Sequence, residues 1–365
     1  MDQKAPDPAV RRVPRILVCG WSGAGNVGDE LLASAVVGVL RSHGAIPIVV
    51  SRDPESTSAL HKVEAVAWGP RGWRSTLVQG REGAKAAAAV DGVCVGPGGI
   101  IQDSSSVWSL PGHLLAPRRL RRMGKPVVGV GLGAEPLNRR SSRRLLSAVL
   151  KDAPVVARDA ASAASLAAAG VEAAVGCDLV FGLGLEPLPR RAEIVVAVGP
   201  SVIPGRLRPA SRRLSADDPS LVAAAIGAVA KRLGASVALT AFRGRRDLDY
   251  AQLLAARIRH DTEVLAPDTA TQVERIRSAR LLVSSRYHPV VVAARSGTPT
   301  VVCSTEPKIG SLVEQLSSPL VAKIDDWPAL SHCEVAEPGS PVVPEGLGLH
   351  HEALRQLVSA ASPAS

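Results

Sequence analysis

Aromatic side chains are scarce in this sequence: two tyrosines, two phenylalanines and five tryptophans are spread over 365 residues. Nucleic-acid binding usually draws on clustered basic residues, often interleaved with stacking aromatics. Here the lysines and arginines are dispersed, so most of the formal net charge of +10 reads as a solvated surface; it permits anionic small substrates or an anionic membrane face without choosing between them, and nucleic acid is the least favoured partner. Long apolar runs are missing too. The richest, residues 86–101, is broken by Asp91 and several glycines and falls short of the ~20 residues that cross a bilayer. The five cysteines, Cys19, Cys94, Cys177, Cys303 and Cys333, lack metal-ligand spacing and mostly end apolar runs. That predicts reduced core residues in a cytoplasmic protein. Residues 1–14 carry charges and prolines where a secretory leader would be apolar, and read as a disordered tail.

Hydrophobic residues make up 46% of the chain, nearly all alanine, valine and leucine, which suits small-residue helices packed on valine-rich strands. The length fits two domains. Short Val/Ile-rich runs alternate with segments of helical period, the pattern of repeated βα units and a parallel sheet. Strands are predicted at residues 15–19, 45–50, 92–95, 126–130, 155–157 and 173–175, then at 194–198, 236–240, 262–264, 281–283 and 300–303. A Pro/Gly-rich stretch, residues 182–191, separates the two series. The expected organisation is an N-terminal domain over 15–185, a C-terminal domain over 192–330, and an extension over 331–365 whose final helix returns to the first domain.

In open parallel sheets ligands bind beyond the carboxyl ends of the strands, so those loops carry most weight. The first strand runs into a formal G-x-G-x-x-G at Gly23, Gly25 and Gly28. It is a poor dinucleotide site, because Asp29 and Glu30 fall in the first helical turn and would repel a pyrophosphate. They read as helix-terminal carboxylates or as binders of acceptor hydroxyls. Asp53 lies beyond its strand end, where it is only weak support for a ribose site. The third strand opens a second glycine-rich turn through Gly98 and Gly99 to Asp103, which reads as either a base or a helix cap. Arg158 and Asp159 follow another strand, the first suited to an oxyanion and the second to a cap. Further on, Ser284-Ser285-Arg286-Tyr287-His288 places a histidine beside an arginine after a strand, a candidate for proton transfer. Lys308 stands on the next loop. The basic loop 242–247 reads mainly as a solvated turn.

Taken in order, these segments resemble the polysaccharide pyruvyl transferase family. The resemblance rests on G-N-x-G-D-E at residues 25–30, G-G-x-x-Q-D-x-x-S at 98–106 and R-D-x-x-S-x-x-x-L from Arg158. Asp178, S-x-R-x-H from Ser284 with a later G-x-P, and Glu306-Pro307-Lys308 complete it. It implies two Rossmann-like doubly wound domains resembling B-type glycosyltransferases. The implied reaction transfers pyruvyl from phosphoenolpyruvate to two hydroxyls of a sugar, lipid-linked in some settings, with release of phosphate and no metal or nucleotide cofactor. By the same resemblance His288 is the general acid, with Arg158 and Lys308 catalytic cations. Arg286, Ser284, Asn26, Gly98 and Gly99 fall at the substrates, and Asp29, Glu30 or Asp103 orients or deprotonates the acceptor. Where Tyr287 stands the family pattern usually has leucine. The competing readings are a B-type glycosyltransferase using a nucleotide sugar and a non-catalytic sugar-binding relative; an NAD-dependent dehydrogenase ranks behind both.

Overall fold

The alternating apolar runs form two separate sheets, and both are wholly parallel. The computed structural model describes residues 12–67, 89–104, 106, 108–200 and 218–362. Most of the expected N-terminal tail, residues 1–11, and Ser105 of the second glycine-rich motif lie outside the described residues.

The first sheet is built from β1 (Arg15–Ser22), β2 (Ile46–Ser51), β3 (Glu64–Ala67), β4 (Gly92–Val95), β5 (Gly98–Ile101), β6 (Val127–Ala134), β7 (Val155–Ala157) and β8 (Ala174–Val175). Its order is β3-β2-β1-β4-β6-β7-β8, with β5 added beside the end of β6. Between these strands lie α1 (Val27–Ser42), α2 (Pro54–His61), α3 (Ser109–Arg122), α4 (Arg140–Leu150) and α5 (Ala160–Ala167). The second sheet runs β11-β10-β9-β12-β13-β14. Its strands are β9 (Glu193–Ala197), β10 (Ser236–Leu239), β11 (Thr262–Val264), β12 (Leu281–Ser284), β13 (Thr300–Cys303) and β14 (Val321–Ile324). Its helices are α6 (Pro219–Leu233), α7 (Gly244–Ala255), α8 (Thr269–Ser278), α9 (Tyr287–Arg295) and α10 (Pro307–Leu316). In each sheet the strand order reverses once near the middle, between β1 and β4 and between β9 and β12, and such switch points open a crevice for ligands.

Three strands escaped the sequence reading. β3 and β14 are short edge strands with charged or half-exposed positions, so they lack a continuous apolar run. Residues 98–101, expected as a glycine-rich turn, pair with β6 instead: Ile100 and Ile101 are buried, and Gly98 at φ +115° carries the chain into the pairing. No helix among the described residues is long and apolar enough to cross a membrane. All five cysteines are free, and burial pushes the thiols of Cys19 and Cys177 up to about 12, which makes them inert at neutral pH.

Two features bring the domains together. Helix α9 is apolar nearly all round, with Val290 to Ala294 fully buried, as a helix covered on every side must be. It packs on β12 and β13 of its own sheet, and on α1 and the 3-10 turn Leu179–Gly182 of the first domain. The final helix α11 (Leu347–Ala361) leaves the second domain and lies on β4, β6 and β7 of the first sheet. One apolar cluster therefore runs unbroken from Val27, Leu31 and Phe181 to Tyr287 and Val290.

Candidate active site

The loop after β1 enters α1 through Asn26, whose side chain caps the helix by accepting Gly28 N–H at 3.1 Å. Asp29 and Glu30 occupy the first turn, where carboxylates suit the helix dipole. The same loop meets the second domain. Val27 N–H donates to Phe242 O at 3.0 Å, and Asn26 pairs with Arg243 as an isolated antiparallel bridge. The loop 242–247 is therefore only partly the solvated turn expected of it: Arg245 is exposed, but Phe242 and Asp247 are buried and α7 begins at Gly244.

His288, in the first turn of α9, crosses to the first domain and lies directly over Gly28. A Cβ added at Gly28 would stand 1.9 Å from His288 Nδ1, so a glycine is required there by the imidazole rather than by the turn. On its other side, His288 Nε2 is 3.6 Å from Asp178 Oδ2, inside ion-pair range but longer than an ordinary hydrogen bond. Asp178 sits just after β8, is 1% exposed, and caps the following turn by accepting Val180 N–H at 3.0 Å. Burial raises its carboxyl, but the proximity and charge of His288, the charge of Arg158 and the Val180 amide outweigh burial and hold it below the usual carboxylate range. Among the described residues His288 Nε2, Asp178 Oδ2 and the Tyr287 hydroxyl are buried without a hydrogen-bond partner. Such concentrated orphan groups mark a place that handles protons or a polar ligand.

Arg158, delivered by β7, joins them. Its guanidinium lies 4.6 Å from the centre of the Tyr287 ring, a cation–π contact across the domain boundary. Tyr287, where the resembled family usually has leucine, thus has an identified task. Asp159 accepts Arg158 Nε–H at 3.1 Å while also capping α5 through Ser162 N–H at 2.7 Å. Gly133 leaves the space in which Arg158 lies, since a Cβ there would stand 2.7 Å from its Cζ.

The three candidate acceptor carboxylates have different surroundings. Both oxygens of Asp103 are taken by Asn138 and Arg139: the Asn138 amide N–H at 3.1 Å and side chain at 3.2 Å, and the Arg139 amide at 2.9 Å. Asp103 thus pins the loop that leads into α4, whose N-cap is Arg139 without a side-chain cap bond, instead of capping a helix as one reading of it expected. Glu30 accepts Gly23 N–H at 2.8 Å and meets His61 Nε2 at 2.8 Å, which ties the glycine loop to α2. Asp29 alone faces the cluster. Burial raises its carboxyl to about 6, against the opposing charges of His288, Arg243 and Arg158. A folded-state value above the unfolded one means that the native protein holds a proton which the unfolded chain has released between about pH 4 and about pH 6. Stability contributed by this group is therefore present at low pH and lost as pH rises through that window. Asp29→Asn is expected to raise the melting temperature at pH 7.5 more than at pH 4, read by thermal unfolding at the two pH values.

Gly98 lies 3.7 Å, measured from an added Cβ, from Asp29 Oδ1, and Gly99 faces open space. Ser284 shapes the β12 loop: its hydroxyl donates to Ala197 O at 3.1 Å and accepts Arg286 N–H at 3.0 Å. Arg286 then spans the second sheet's switch point to form a two-pronged pair with Asp247, at 2.9 and 2.5 Å. Gly199 leaves room for this pair, since a Cβ there would lie 2.0 Å from the guanidinium. Lys308, which follows β13 in the first turn of α10, contacts Glu306 at 2.7 Å, and Glu306 in turn stands 3.9 Å from Arg286. Asp53 caps α2.

Asp247 and Glu306 are the partners that sequence reasoning missed. Asp247 is 39 residues from Arg286 in the chain, and nothing local betrays that pairing. Removing one member of a buried ion pair costs about 3–5 kcal/mol. Arg286→Ala is accordingly expected to destabilise the protein by roughly that amount in urea unfolding, and Arg286→Met with Asp247→Leu to recover much of it. Among the described residues no group of three or more His, Cys, Asp or Glu is gathered as a metal site.

A family model described as polysaccharide pyruvyl transferase matches residues 26–307, which runs from the cap of α1 to the start of α10. No curated protein matches the chain by sequence. Among solved structures, UDP-GlcNAc 2-epimerase from Neisseria meningitidis, bound to UDP-GlcNAc, is similar at a TM-score of 0.54 and 11% identity, covering 87% of this chain and 90% of its own. A putative UDP-N-acetylglucosamine 2-epimerase from Listeria monocytogenes gives 0.54 and 11%, covering 97% and 92%. A glycosyltransferase from Rickettsia africae gives 0.52 and 12%, covering 95% and 94%. At these identities the likeness is one of fold: two parallel-sheet α/β domains of the B-type glycosyltransferase kind.

Proposed function

The chain belongs to the polysaccharide pyruvyl transferase family, and on that premise we propose that it transfers pyruvyl from phosphoenolpyruvate to two hydroxyls of one sugar of a polysaccharide precursor, forming a cyclic ketal and releasing phosphate. The observation that carries this reading is the convergence of His288, Asp178, Arg158 and Asp29 from two domains onto one spot.

The reaction begins with proton transfer to carbon. His288, as imidazolium, gives its proton to the donor's methylene, and positive charge develops on the central carbon. Asp178, anionic and buried beside the ring, stabilises the imidazolium that must be present at the start. A first sugar hydroxyl forms a C–O bond to that carbon and loses its proton to Asp29. The C–O bond to phosphate then breaks. A second hydroxyl closes the ketal, and its proton leaves with the phosphate. A carboxyl raised to about 6 is well suited to accept a proton near neutral pH. The rate should fall as pH drops through about 6, because Asp29 must be ionised to act; a pH profile of turnover reads this.

The donor's carboxylate and phosphate need cations. Among the described residues only Nε of the Arg158 guanidinium is engaged, by Asp159, which leaves its other N–H groups for a planar anion. Arg286 shares its charge with Asp247 and Glu306, so its part is to set the loop that carries His288; Lys308, itself paired with Glu306, is the second cation and turns from that carboxylate to the donor. The reaction belongs to the cytoplasm, where phosphoenolpyruvate is made, with the acceptor on the N-terminal domain beside Asp29 and the donor on the C-terminal domain beside His288, where Arg158 reaches it across the domain boundary.

The test is phosphate release from phosphoenolpyruvate with a panel of free and lipid-linked glycosides, using wild type and Arg158→Ala. Release that requires a glycoside and is lost in the variant supports the proposal. No release with any glycoside, together with thermal stabilisation by a nucleotide sugar, would replace it with the glycosyltransferase reading.

A further inference from the structure

The extension that follows the second domain reaches the far side of this site. His350, in α11, lies beyond the matched region 26–307 and is completely buried. Its Nδ1 accepts Gly131 N–H at 3.3 Å, and its Nε2–H donates to Cys177 O at 2.8 Å. These two bonds define a neutral ring with its proton on Nε2. Gly176 leaves the necessary space, since a Cβ there would stand 2.7 Å from that nitrogen.

The peptide gripped by His350 runs straight into Asp178. The strand before it, β8, has two residues, both exposed, so local structure holds the carboxylate only from the side of the turn that it caps. Other elements converge on the same turn: Gln315 of α10 donates to Gly176 O at 3.1 Å, and Gly176 N–H donates to Ala157 O at 2.8 Å. Asp178 Oδ2 then faces His288 at 3.6 Å, a separation at which a small displacement makes or breaks the interaction.

We propose that His350 is a positioning residue: through the Cys177 carbonyl it sets where Asp178 stands, and so how His288 is held. The inference rests on the reading of His288 as proton donor. The rival explanation is that His350 merely anchors α11 by filling buried hydrogen-bonding capacity. Anchoring would be served equally by an apolar contact of the same helix, such as the fully buried Leu354.

Three variants separate these roles. His350→Leu removes the donor to Cys177 O, His350→Gln keeps an N–H that can reach it, and Leu354→Ala loosens the packing of α11 while leaving every hydrogen bond to the Asp178 turn in place. His350→Leu is expected to lower kcat by about ten- to a hundredfold with donor KM unchanged. His350→Gln restores most of kcat, and Leu354→Ala loses stability but keeps kcat per folded molecule. An equal loss of kcat in Leu354→Ala at matched stability, or no rescue by glutamine, overturns the proposal. Hydrogen exchange of the Val180 amide, which donates to Asp178, needs no substrate and decides the matter even if pyruvyl transfer is absent. Faster exchange in His350→Leu than in Leu354→Ala supports positioning, and equal exchange overturns it.

Discussion

Replacing His288 by glutamine is expected to lower sugar-dependent phosphate release by about 10²–10⁴-fold, the usual span for losing a positioned acid or base, while the fold is retained. Glutamine is close to the imidazole in size and can still hydrogen-bond Asp178, but it cannot deliver a proton to carbon. The loss should fall on kcat, because in the proposed mechanism Arg158 and Lys308 take the donor's anionic groups and the imidazole is left only the proton transfer. Steady-state kinetics with thermal unfolding as the control makes the measurement. An unchanged kcat would remove His288 from the chemistry and leave its pairing with Asp178 as a domain contact.

Gly28→Ala should be almost as damaging, although it adds only a methyl group. In an ordinary helix this change gains about 1 kcal/mol of helix propensity. Here the new Cβ would lie 1.9 Å from His288 Nδ1, a separation that no packing tolerates. The backbone of α1 is fixed by the Asn26 cap and by Val27 N–H on Phe242 O, so the imidazole must move. A displacement of about 1 Å costs on the order of a hundredfold in rate. Thermal stability should change far less, since overpacking costs about 1–3 kcal/mol and the helix gain offsets part of it. A variant that folds normally, binds donor normally and turns over slowly is the expected outcome, read from kcat, KM and melting temperature together. Wild-type turnover in Gly28→Ala would mean that the imidazole sits elsewhere during the reaction.

These two residues show how far the sequence can be read. His288, Arg158 and Asp29 stand just past strands or in the first turns that follow them, and strand ends are where a doubly wound sheet presents ligands, so their place was legible from the apolar runs alone. Gly28 was legible as part of a motif, but its reason was not, because the group that excludes a side chain comes from the other domain. The carboxylates divide for the same reason. Nothing near Asp103 distinguishes it from Asp29; what does is a partner 35 residues away, just as His61, 31 residues on, distinguishes Glu30. Asp178 belonged to the shared pattern without a role, since its importance comes from His288 on one side and His350 on the other. Short local signals locate a loop, whereas the duty of a charged side chain depends on which distant loop it meets.

The domain contact explains why so much of the chemistry is shared. Tyr287 and His288 begin a helix whose apolar body is covered by both domains, so Arg158 and Asp178 meet them only when the two sheets are brought together. The continuous core through Phe181, Val27 and Val290 makes this a packed junction. At about 25 cal/mol per Å² of buried apolar surface, its opening would carry a substantial cost, and that favours a site assembled before the substrates arrive.

The most direct test of the central claim is the reaction run in deuterium oxide with phosphoenolpyruvate and a responsive glycoside, followed by NMR of the sugar product. Proton delivery to the donor methylene predicts a ketal whose methyl group carries a single deuterium, formed in step with phosphate and absent with His288→Gln. A product without methyl deuterium, or phosphate released with no ketal on the sugar, would contradict the account.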